Sequence, residues 1–425
     1  MSPRAGRILT VATLLALGCA VPGAAREAGP DEIEAPAGAR VEDRAWVEVE
    51  APDREARTRA ADLGLSIEEV SPGIAAGVAT PEALERLRAA GFVIRSRVKL
   101  KDAFPMGFPK PDEAYHDYAE VRAGLAAVVQ AHPDLASLVE LGRSHKGLSI
   151  TGLRLNTTAK GSEPSSKPGA FFLGTHHARE HLSTEVPLLA AQWLAENRAK
   201  PEVRSLLETR DVYFVPLLNP DGSEYDVEDG DYRWQRKNLS PNADGTVGTD
   251  LNRNYDHHWG ESGSSRSPGD DTYRGTGPFS EPESRAVRDF VLARPNLKTM
   301  VSYHTYSELI LYPWSYTDQP LPAGPPLKAF QAMARKMAQW TGYTPQQSSD
   351  LYASSGDTCD WAWEARGIYC FTFELTPRSG SGGGFYPGAG VIAPTVAKNI
   401  PAILYLIGLA DDPLRAAAGA EPRGR

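Results

Sequence analysis

The alternation of apolar and polar residues is clearest in the first quarter of the chain. Residues 46–50 (Trp-Val-Glu-Val-Glu) alternate as a half-buried strand does. Thr80 followed by Pro81 is typical of a helix start, with a capping hydroxyl and proline at the first helical position. The surrounding pattern predicts a helix over 52–63, strands over 66–69 and 73–78, a helix over 80–90 and a strand over 92–98. The order βαββαβ is that of a ferredoxin-like fold, so residues 45–101 are predicted to form a small domain.

A second pattern of apolar residues extends from residue 112 to residue 410. Strand-like apolar runs alternate there with longer segments of helical periodicity. The clearest examples are 170–173, 186–197, 211–218, 283–293, 299–303, 327–340 and 369–374. This alternation predicts an α/β domain in which helices cover a sheet.

The first 25 residues read as a secretory signal. Arg4 and Arg7 precede a short apolar stretch over 8–17, and small residues follow at Ala24 and Ala25. The stretch is too short to span a membrane. A lipoprotein anchor at Cys19 is the alternative, although the leucine of the Ala-Leu-Gly-Cys sequence stands one position late.

Three further segments are predicted to lie outside the two domains. Residues 26–44 are rich in Pro, Ala and Glu and read as a linker. Residues 102–111 follow a basic stretch and contain proline and glycine, which favours a protease-sensitive activation linker. The alternative for the basic stretch is a solvated strand edge. Residues 411–425 are predicted to form a flexible tail.

Composition and charge exclude several classes of protein. With 41% hydrophobic and 23% charged residues, the chain is neither disordered, collagen-like nor a coiled coil. Its formal net charge of −9 disfavours nucleic-acid binding. Beyond the signal, no apolar run approaches the roughly 18 residues that a membrane span needs. Of the three cysteines, Cys359 and Cys370 would remain after signal cleavage. They could form a disulfide or stay buried thiols.

A strand that ends in imidazoles and a carboxylate is the first candidate for chemistry. The run over 170–173 leads into His176, His177, Glu180 and His181, and zinc binds His nitrogen and carboxylate oxygen. Two readings are open. In His-x-x-Glu, His177 and Glu180 are metal ligands. In His-x-x-Glu-His, both histidines bind and Glu180 is the base.

Two later strands supply matching groups. His304 follows a strand and offers a further metal ligand. Glu374 stands in an otherwise apolar strand, where a carboxylate is costly to bury unless it is paired or acts as a base.

Five motifs occur in one order along the chain: THHARE, WQRKN, DLNRNY, SYHTYS and FTFEL. With them, residues 112–410 resemble the zinc metallocarboxypeptidases of the carboxypeptidase A/B and carboxypeptidase T type, and residues 45–101 resemble the family's pro-domain. The resemblance implies a mixed, mostly parallel sheet flanked by helices, one Zn²⁺ per chain, and hydrolysis of C-terminal peptide bonds by a secreted enzyme made as a zymogen.

The resemblance also implies roles for individual residues. His177, Glu180 and His304 would hold zinc, Glu374 would be the general base, and Arg236 would polarise the scissile carbonyl. Asp250 would accept a hydrogen bond from the ring of His177 and fix its orientation. The substrate's terminal carboxylate would be bound by Asn252, Arg253 and Tyr352. The more N-terminal subsites would be lined by Arg179 and Tyr306.

Two features leave questions open. Gln235 separates Trp234 from Arg236, where the family often has Trp-Arg directly, so the register of the arginine is uncertain by one residue. Cys359 would fall at the base of the pocket for the departing side chain, with Asp357 two residues earlier. A neutral Cys359 predicts a broad or apolar preference, with some basic tolerance if Asp357 faces the pocket.

The predicted partners are peptide or protein C-termini and an activating protease, with no nucleic acid, no membrane beyond the signal, and a monomeric chain. The rival hypotheses are an endopeptidase that uses His181 as a ligand and a secreted zinc- and peptide-binding module without catalysis.

Overall fold

The computed structural model describes residues 43–100, 112–228 and 232–418. The predicted signal over 1–25 and the activation linker over 102–111 lie outside the described residues, as does nearly all of the linker over 26–44. Arg44, at the end of that linker, is buried.

The N-terminal domain has the predicted order of elements. Thr80 caps the second helix, because its Oγ1 accepts the Ala83 N–H at 3.2 Å. The four strands form one antiparallel sheet in the order β2-β3-β1-β4. The elements are β1 Ala45–Glu50, α1 Arg54–Asp62, β2 Ser66–Ser71, β3 Ile74–Ala79, α2 Pro81–Ala89 and β4 Ile94–Lys99.

The larger domain alternates strands and helices from residue 118 onward. Its strands form one eight-stranded sheet in the order β11-β10-β12-β9-β7-β8-β6-β5. The elements are α3 Tyr118–Ala131, β5 Ala136–Arg143, β6 Ser149–Leu155, β7 Gly169–Gly174, α4 Leu182–Glu196, α5 Pro201–Thr209, β8 Asp211–Val215, α6 Pro220–Val227, α7 Pro282–Leu292, β9 Leu297–Thr305, β10 Leu309–Tyr312, α8 Pro325–Thr341, β11 Thr344–Gln347, α9 Thr358–Arg366, β12 Tyr369–Leu375 and α10 Ile392–Leu409.

The centre of this sheet is parallel. Strands β8, β7, β9 and β12 run in one direction, whereas β6 runs antiparallel to β8 and β10 runs antiparallel to β12. Helices α4, α8 and α10 pack on one face, and α7 and α9 pack on the other. Burial on both faces explains why the central strands are continuous apolar runs. The carboxyl ends of parallel strands meet at one edge of the sheet, which is where α/β folds place their ligand sites.

The C-terminal segment differs from the prediction. Residues 389–409 form a helical segment that is long and apolar enough to span a membrane. Half of the residues in its most apolar 18-residue stretch are buried inside the fold. The tail predicted to be flexible begins with a 3-10 helix over Pro413–Ala418. The side chain of Ala416 is buried in the core, and this apolar contact holds the segment. Residues 419–425 lie outside the described residues.

Candidate metal centre

The turn after β7 presents His177 and Glu180 at the carboxyl edge of the sheet. Gly174 ends the strand, and a Cβ there would lie 2.1 Å from the Ser183 carbonyl oxygen and 2.6 Å from that of Pro216. Only glycine fits so close an approach of two backbones. The chain can therefore turn directly from the strand towards α4, and the turn carries both side chains inward.

Three side chains from two strand ends converge here. The Nδ1 atom of His177 lies 2.8 Å from Glu180 Oε1, and the Nδ1 atom of His304 lies 3.0 Å from Glu180 Oε2. The two Nδ1 atoms are 3.1 Å apart. All three side chains are buried, and one ligand atom from each lies within 4.8 Å of the others.

This donor set fits zinc. Two imidazole nitrogens that face each other at contact distance repel through their lone pairs unless a proton or a cation lies between them. Two histidines and one glutamate form a known ligand set of catalytic zinc, which leaves a fourth position for water or substrate. His177, Glu180 and His304 would therefore hold the ion, as predicted from the sequence.

The outward ring nitrogens of both histidines have partners that fix their orientation. His177 Nε2 lies 3.1 Å from Asp250 Oδ1, and His304 Nε2 lies 3.0 Å from Ser302 Oγ. Such contacts select the tautomer that turns Nδ1 towards a metal. The geometry places Asp250 where the sequence predicted it. Ser302 was not predicted, since a serine in a strand carries no signal of its own.

Glu374 lies beside this cluster. It pairs with His304 in the register of the parallel strands β12 and β9, and both residues line the same cleft. Burial, together with the charge of Glu180, raises the pKa of Glu374 well above its usual range. A carboxyl group in such a place is a candidate acid or base.

Arg236 enters the cleft from the loop after α6. Its Nε donates to Asp250 Oδ2 at 3.0 Å, and its Nη1 lies 4.0 Å from Glu180 Oε1. Burial lowers the pKa of Arg236, but the charges of Asp250, Glu68 and Glu180 together outweigh this effect and the net shift is upward. Lys237 instead donates to the Pro268 carbonyl oxygen at 2.6 Å. Arg236, rather than Lys237, therefore lines the cleft.

A second group of polar side chains lines the cleft beyond Arg236. Arg253 Nη2 donates to the Tyr352 hydroxyl at 3.0 Å. Asn252 Nδ2 donates to Asp357 Oδ2 at 3.1 Å, and Asn252 Oδ1 accepts the Thr358 N–H at 3.0 Å. The structure therefore brings the predicted carboxylate-binding residues to the same cleft as the metal ligands.

Asp357 faces the cleft, whereas Cys359 lies behind it. Asp357 and Thr372 line the cleft. Cys359 is bonded to Cys370 in a disulfide, and Thr372 stands between that disulfide and the cleft. The alternative of two free buried thiols is therefore wrong, and the predicted contact of Cys359 with the departing side chain becomes an indirect one.

His181 does not join the metal ligands. Its Nε2 lies 2.8 Å from Asp226 Oδ2. The cluster that could bind a metal contains His304 in its place. The ligand set of the His-x-x-Glu-His reading is therefore not the one that the structure brings together.

Two carboxylates of the N-terminal domain reach into the cleft. Glu68 Oε1 accepts from Arg179 Nη2 at 2.7 Å and lies 3.9 Å from Arg236 Nη1. Glu69 accepts from the Tyr306 hydroxyl at 3.2 Å. Arg179 and Tyr306, the predicted subsite residues, are thus both occupied by carboxylates of this domain.

A second ion pair extends this contact. Asp271 Oδ2 accepts from Arg179 Nη1 at 2.8 Å, and Asp271 Oδ1 accepts from Arg44 Nη1 at 3.0 Å. These ion pairs form a row of alternating charges, in the order Glu68, Arg179, Asp271 and Arg44. Both ends of the row belong to the N-terminal segment. Alternating buried charges of this kind compensate one another, and removal of one member leaves its partner uncompensated.

Comparison with known proteins agrees with this geometry. A protein family described as zinc carboxypeptidase matches residues 121–402. A zinc carboxypeptidase of Saccharothrix mutabilis subsp. capreolus is 33% identical over 434 residues, which cover 97% of this chain and 98% of that protein. A carboxypeptidase B of Astacus astacus is 32% identical over 307 residues, which cover 70% of this chain and 98% of that protein.

Solved structures share the fold. The crystal structure of thrombin-activatable fibrinolysis inhibitor aligns with a TM-score of 0.68 and 24% identity, over 88% of this chain and 99% of that one. The bovine form of that protein, in complex with a tick carboxypeptidase inhibitor, aligns with a TM-score of 0.61 and 29% identity, over 70% of this chain and 98% of that one.

Proposed function

Because the chain belongs to the zinc carboxypeptidase family and is thus a zinc-dependent hydrolase of peptide bonds, we propose that Glu374 is the general base and that the enzyme is secreted as a latent precursor. The observation that carries the assignment of Glu374 is its register position directly beside His304. Glu374 and the three candidate metal ligands thereby share a cleft with Arg236 and Arg253. The reaction releases one residue at a time from peptide C-termini.

The raised pKa of Glu374 suits proton transfer. Zinc, when bound, supplies a Lewis acid that lowers the pKa of a coordinated water towards about 7 and polarises a carbonyl. Glu374 accepts a proton from the attacking water and delivers it to the departing amine.

Arg236 stabilises the negative charge that develops on the carbonyl oxygen. Its Nε and Nη2 are both held by Asp250 Oδ2, each at 3.0 Å. This pairing keeps the side chain in place before substrate arrives. A preorganised donor favours the transition state over the ground state, because it loses no energy in reorientation.

Asn252, Arg253 and Tyr352 select a free C-terminus. The guanidinium of Arg253 offers a planar fork that matches a carboxylate. An internal peptide bond would leave this buried cation without its counter-charge. The clamp therefore restricts cleavage to the last residue of the peptide.

Amidation of the substrate's C-terminus should prevent most of its recognition by the clamp, because the amide carries no charge to pair with Arg253. We expect a peptide with a C-terminal amide to be cleaved with kcat/KM lower by roughly 30-fold or more than the free acid, because an uncompensated buried cation costs about 2–5 kcal/mol. Matched acid and amide peptides measured on the cut chain check this. Equal cleavage of both would contradict the clamp, and Arg253→Met should reduce the difference.

The pocket for the departing side chain contains Leu311, Ser315, Ser354, Asp357 and Thr372. This mixture supports a broad or apolar preference with tolerance for basic residues, since Asp357 is a carboxylate that faces the cleft. Peptides that end in Leu, Phe, Arg and Glu should be cleaved in an order that places Glu last, because Asp357 repels it. Strict selectivity for Lys and Arg would count against this proposal.

The N-terminal domain holds the precursor latent. Ile67 and Glu68 line the cleft, and the Glu68 carboxylate occupies the space between Arg179 and Arg236, where a peptide would lie. Release of this domain needs a break in the connection to the catalytic domain, and residues 102–111 are that connection. The activating partner is therefore a protease that cuts between the two domains.

Cleavage within 102–111 should raise the activity on long peptides. In the uncut chain, Glu68→Gln should also raise residual activity, because the loss of a buried charged pair weakens the closed state by roughly 2–5 kcal/mol. Glu85→Gln, an exposed residue of α2, is the matched control and should change nothing. Equal activity of the uncut and cut chains would refute latency.

Secretion rests on the basic and apolar pattern of residues 1–25, which lie outside the described residues. The enzyme would act as a monomer outside the cytosol, in the periplasm or the extracellular medium. The disulfide between Cys359 and Cys370 supports an oxidising compartment, because such bonds are rare where thiols are kept reduced.

A further inference from the structure

His176 is a buried histidine to which the mechanism above gives no role. It precedes the candidate ligand His177, and its ring stacks on that of His304, with centroids 5.4 Å apart and planes 13° apart. Its side chain is fully buried. Nδ1 lies 3.1 Å from Ser302 Oγ, and Nε2 lies 2.9 Å from Thr358 Oγ1. The ring therefore has a hydroxyl partner on each side, one in β9 and one at the start of α9.

The direction of the hydrogen bonds at Thr358 follows from a backbone group. The Thr358 N–H can only donate, and it lies 3.0 Å from Asn252 Oδ1, which identifies that atom as the amide oxygen. The Thr358 hydroxyl lies 2.7 Å from the same oxygen, so its single proton is donated there. This hydroxyl can therefore offer only a lone pair to His176 Nε2. Nε2 carries the ring proton, which the Tyr255 hydroxyl oxygen at 2.9 Å can share as a second acceptor.

The metal end of the contact requires the same direction. With the proton on Nε2, His176 Nδ1 accepts from the Ser302 hydroxyl, whose oxygen is then free to accept from His304 Nε2 at 3.0 Å. His304 Nδ1 is left without a proton, as a metal ligand must be. The other tautomer of His176 would turn the Ser302 proton towards His304 and place a proton on His304 Nδ1, where the ion would bind.

We propose that His176 is a positioning residue that fixes both the metal-binding tautomer of His304 and the orientation of the Asn252 amide. One directed chain of hydrogen bonds connects them, in the order His304, Ser302, His176, Thr358 and Asn252. The half of the inference that concerns Asn252 rests on the proposed function, in which this residue binds the substrate's carboxylate. The two histidines of the THHARE motif thus differ in role, since one binds the ion and the other orients its partners.

Two substitutions separate the two halves of this chain. The amide oxygen of asparagine lies about where Nδ1 of histidine does, and the amide nitrogen of glutamine lies about where Nε2 does. His176→Asn therefore keeps an acceptor for Ser302 but loses the donor to Thr358. His176→Gln keeps the donor to Thr358 but loses the acceptor for Ser302. A residue that only filled space would not separate the two effects.

Zinc affinity of the full chain, measured by competition with a chelator of known affinity, tests the metal half. His176→Gln should bind zinc about 10–100-fold more weakly than the wild-type chain, the usual cost of losing a group that orients a ligand. His176→Asn should bind zinc as the wild-type chain does. Ser302→Ala should weaken binding to a similar degree, and the double variant His176→Gln/Ser302→Ala should lose no more than either single variant, because both act on one tautomer.

Recognition of the substrate's carboxylate, measured on the cut chain with saturating zinc, tests the other half. His176→Asn should raise KM for a free-acid peptide by roughly 2–10-fold, the value of one hydrogen bond, and leave kcat unchanged. It should also narrow the preference for the acid over the matched amide. His176→Gln should keep that KM and that preference. Thr358→Val, which removes the hydroxyl without altering His176, should behave as His176→Asn does.

The control is His145→Gln, which replaces an exposed histidine of the turn between β5 and β6 and should change neither zinc affinity nor KM. The proposal is overturned if zinc affinity and KM change equally in His176→Asn and His176→Gln, or in neither, or if the losses of the zinc double variant add. If the His176 variants do not fold, Ser302→Ala and Thr358→Val test the same two halves. A wild-type chain that cleaves acid and amide peptides equally would refute the proposed function, whereas the zinc measurements would still test the role of His176 towards His304.

Discussion

Replacement of Glu374 by Gln should lower kcat by about 10²–10⁴-fold, the usual contribution of a general base, while zinc content and peptide binding stay unchanged. The amide has nearly the same shape as the carboxyl group but cannot accept the proton of the attacking water. The residues that would hold the metal are His177, Glu180 and His304, so the substitution should leave the ion in place.

Glu364→Gln is a suitable control for this experiment. Glu364 is exposed on α9, outside the cleft, and its replacement should leave kcat unchanged. Steady-state release of the C-terminal residue and metal analysis of the same preparations give both quantities. Full turnover by Glu374→Gln would remove Glu374 from the role of base, whereas loss of zinc would show that it helps to hold the ion.

The second large expected effect concerns which of two histidines, His304 or His181, binds the zinc ion. His304→Ala should strip the zinc from the chain and lower activity on the order of 10³-fold or more, because a metal ion contributes several kcal/mol to charge stabilisation. His181→Ala should retain the zinc, since the His181 ring pairs with Asp226. Metal analysis after dialysis distinguishes the two variants.

The opposite outcome would favour the endopeptidase reading of the sequence. Zinc lost from His181→Ala and kept by His304→Ala would mean that the ligands are the two histidines of the His-x-x-Glu-His segment. We do not expect that outcome, because His304 lies close to both His177 and Glu180.

The sequence alone predicted the parts of the fold that local residue patterns determine. The order of strands and helices in the N-terminal domain follows from alternation and from the Thr80 cap, and the structure confirms it. The ends of elements moved by one or two residues, as for the last strand of that domain, which is Ile94–Lys99 rather than 92–98. Strand ends depend on pairing with β1, which the isolated segment does not reveal.

Three polar residues of the candidate site could be recognised because each lies in or soon after an apolar strand, whereas the choice of His304 rather than His181 came from the family resemblance. His177, His304 and Glu374 stand at or near the carboxyl ends of β7, β9 and β12, which are neighbours in the parallel part of the sheet. Arg236 was uncertain by one residue, because Gln235 separates it from Trp234 where the family often has Trp-Arg directly. Its contact with Asp250 is a tertiary interaction and needed the fold.

Contacts between distant segments were beyond sequence reasoning. Glu68 lies in β2 and is separated by 111 residues from Arg179, with which it pairs. The disulfide joins two cysteines whose pairing the sequence left open. In both cases the partner is selected by the packing of whole elements, so no local pattern of residues marks it.

Zinc analysis of the cut chain, combined with an assay for single-residue release before and after chelation, tests the central claim most directly. The account predicts one zinc per chain, stepwise loss of C-terminal residues, loss of both zinc and activity with a chelator, and recovery of both when zinc is restored. A cut chain that binds no zinc, or one that cleaves internal bonds at the same rate after chelation, would contradict it.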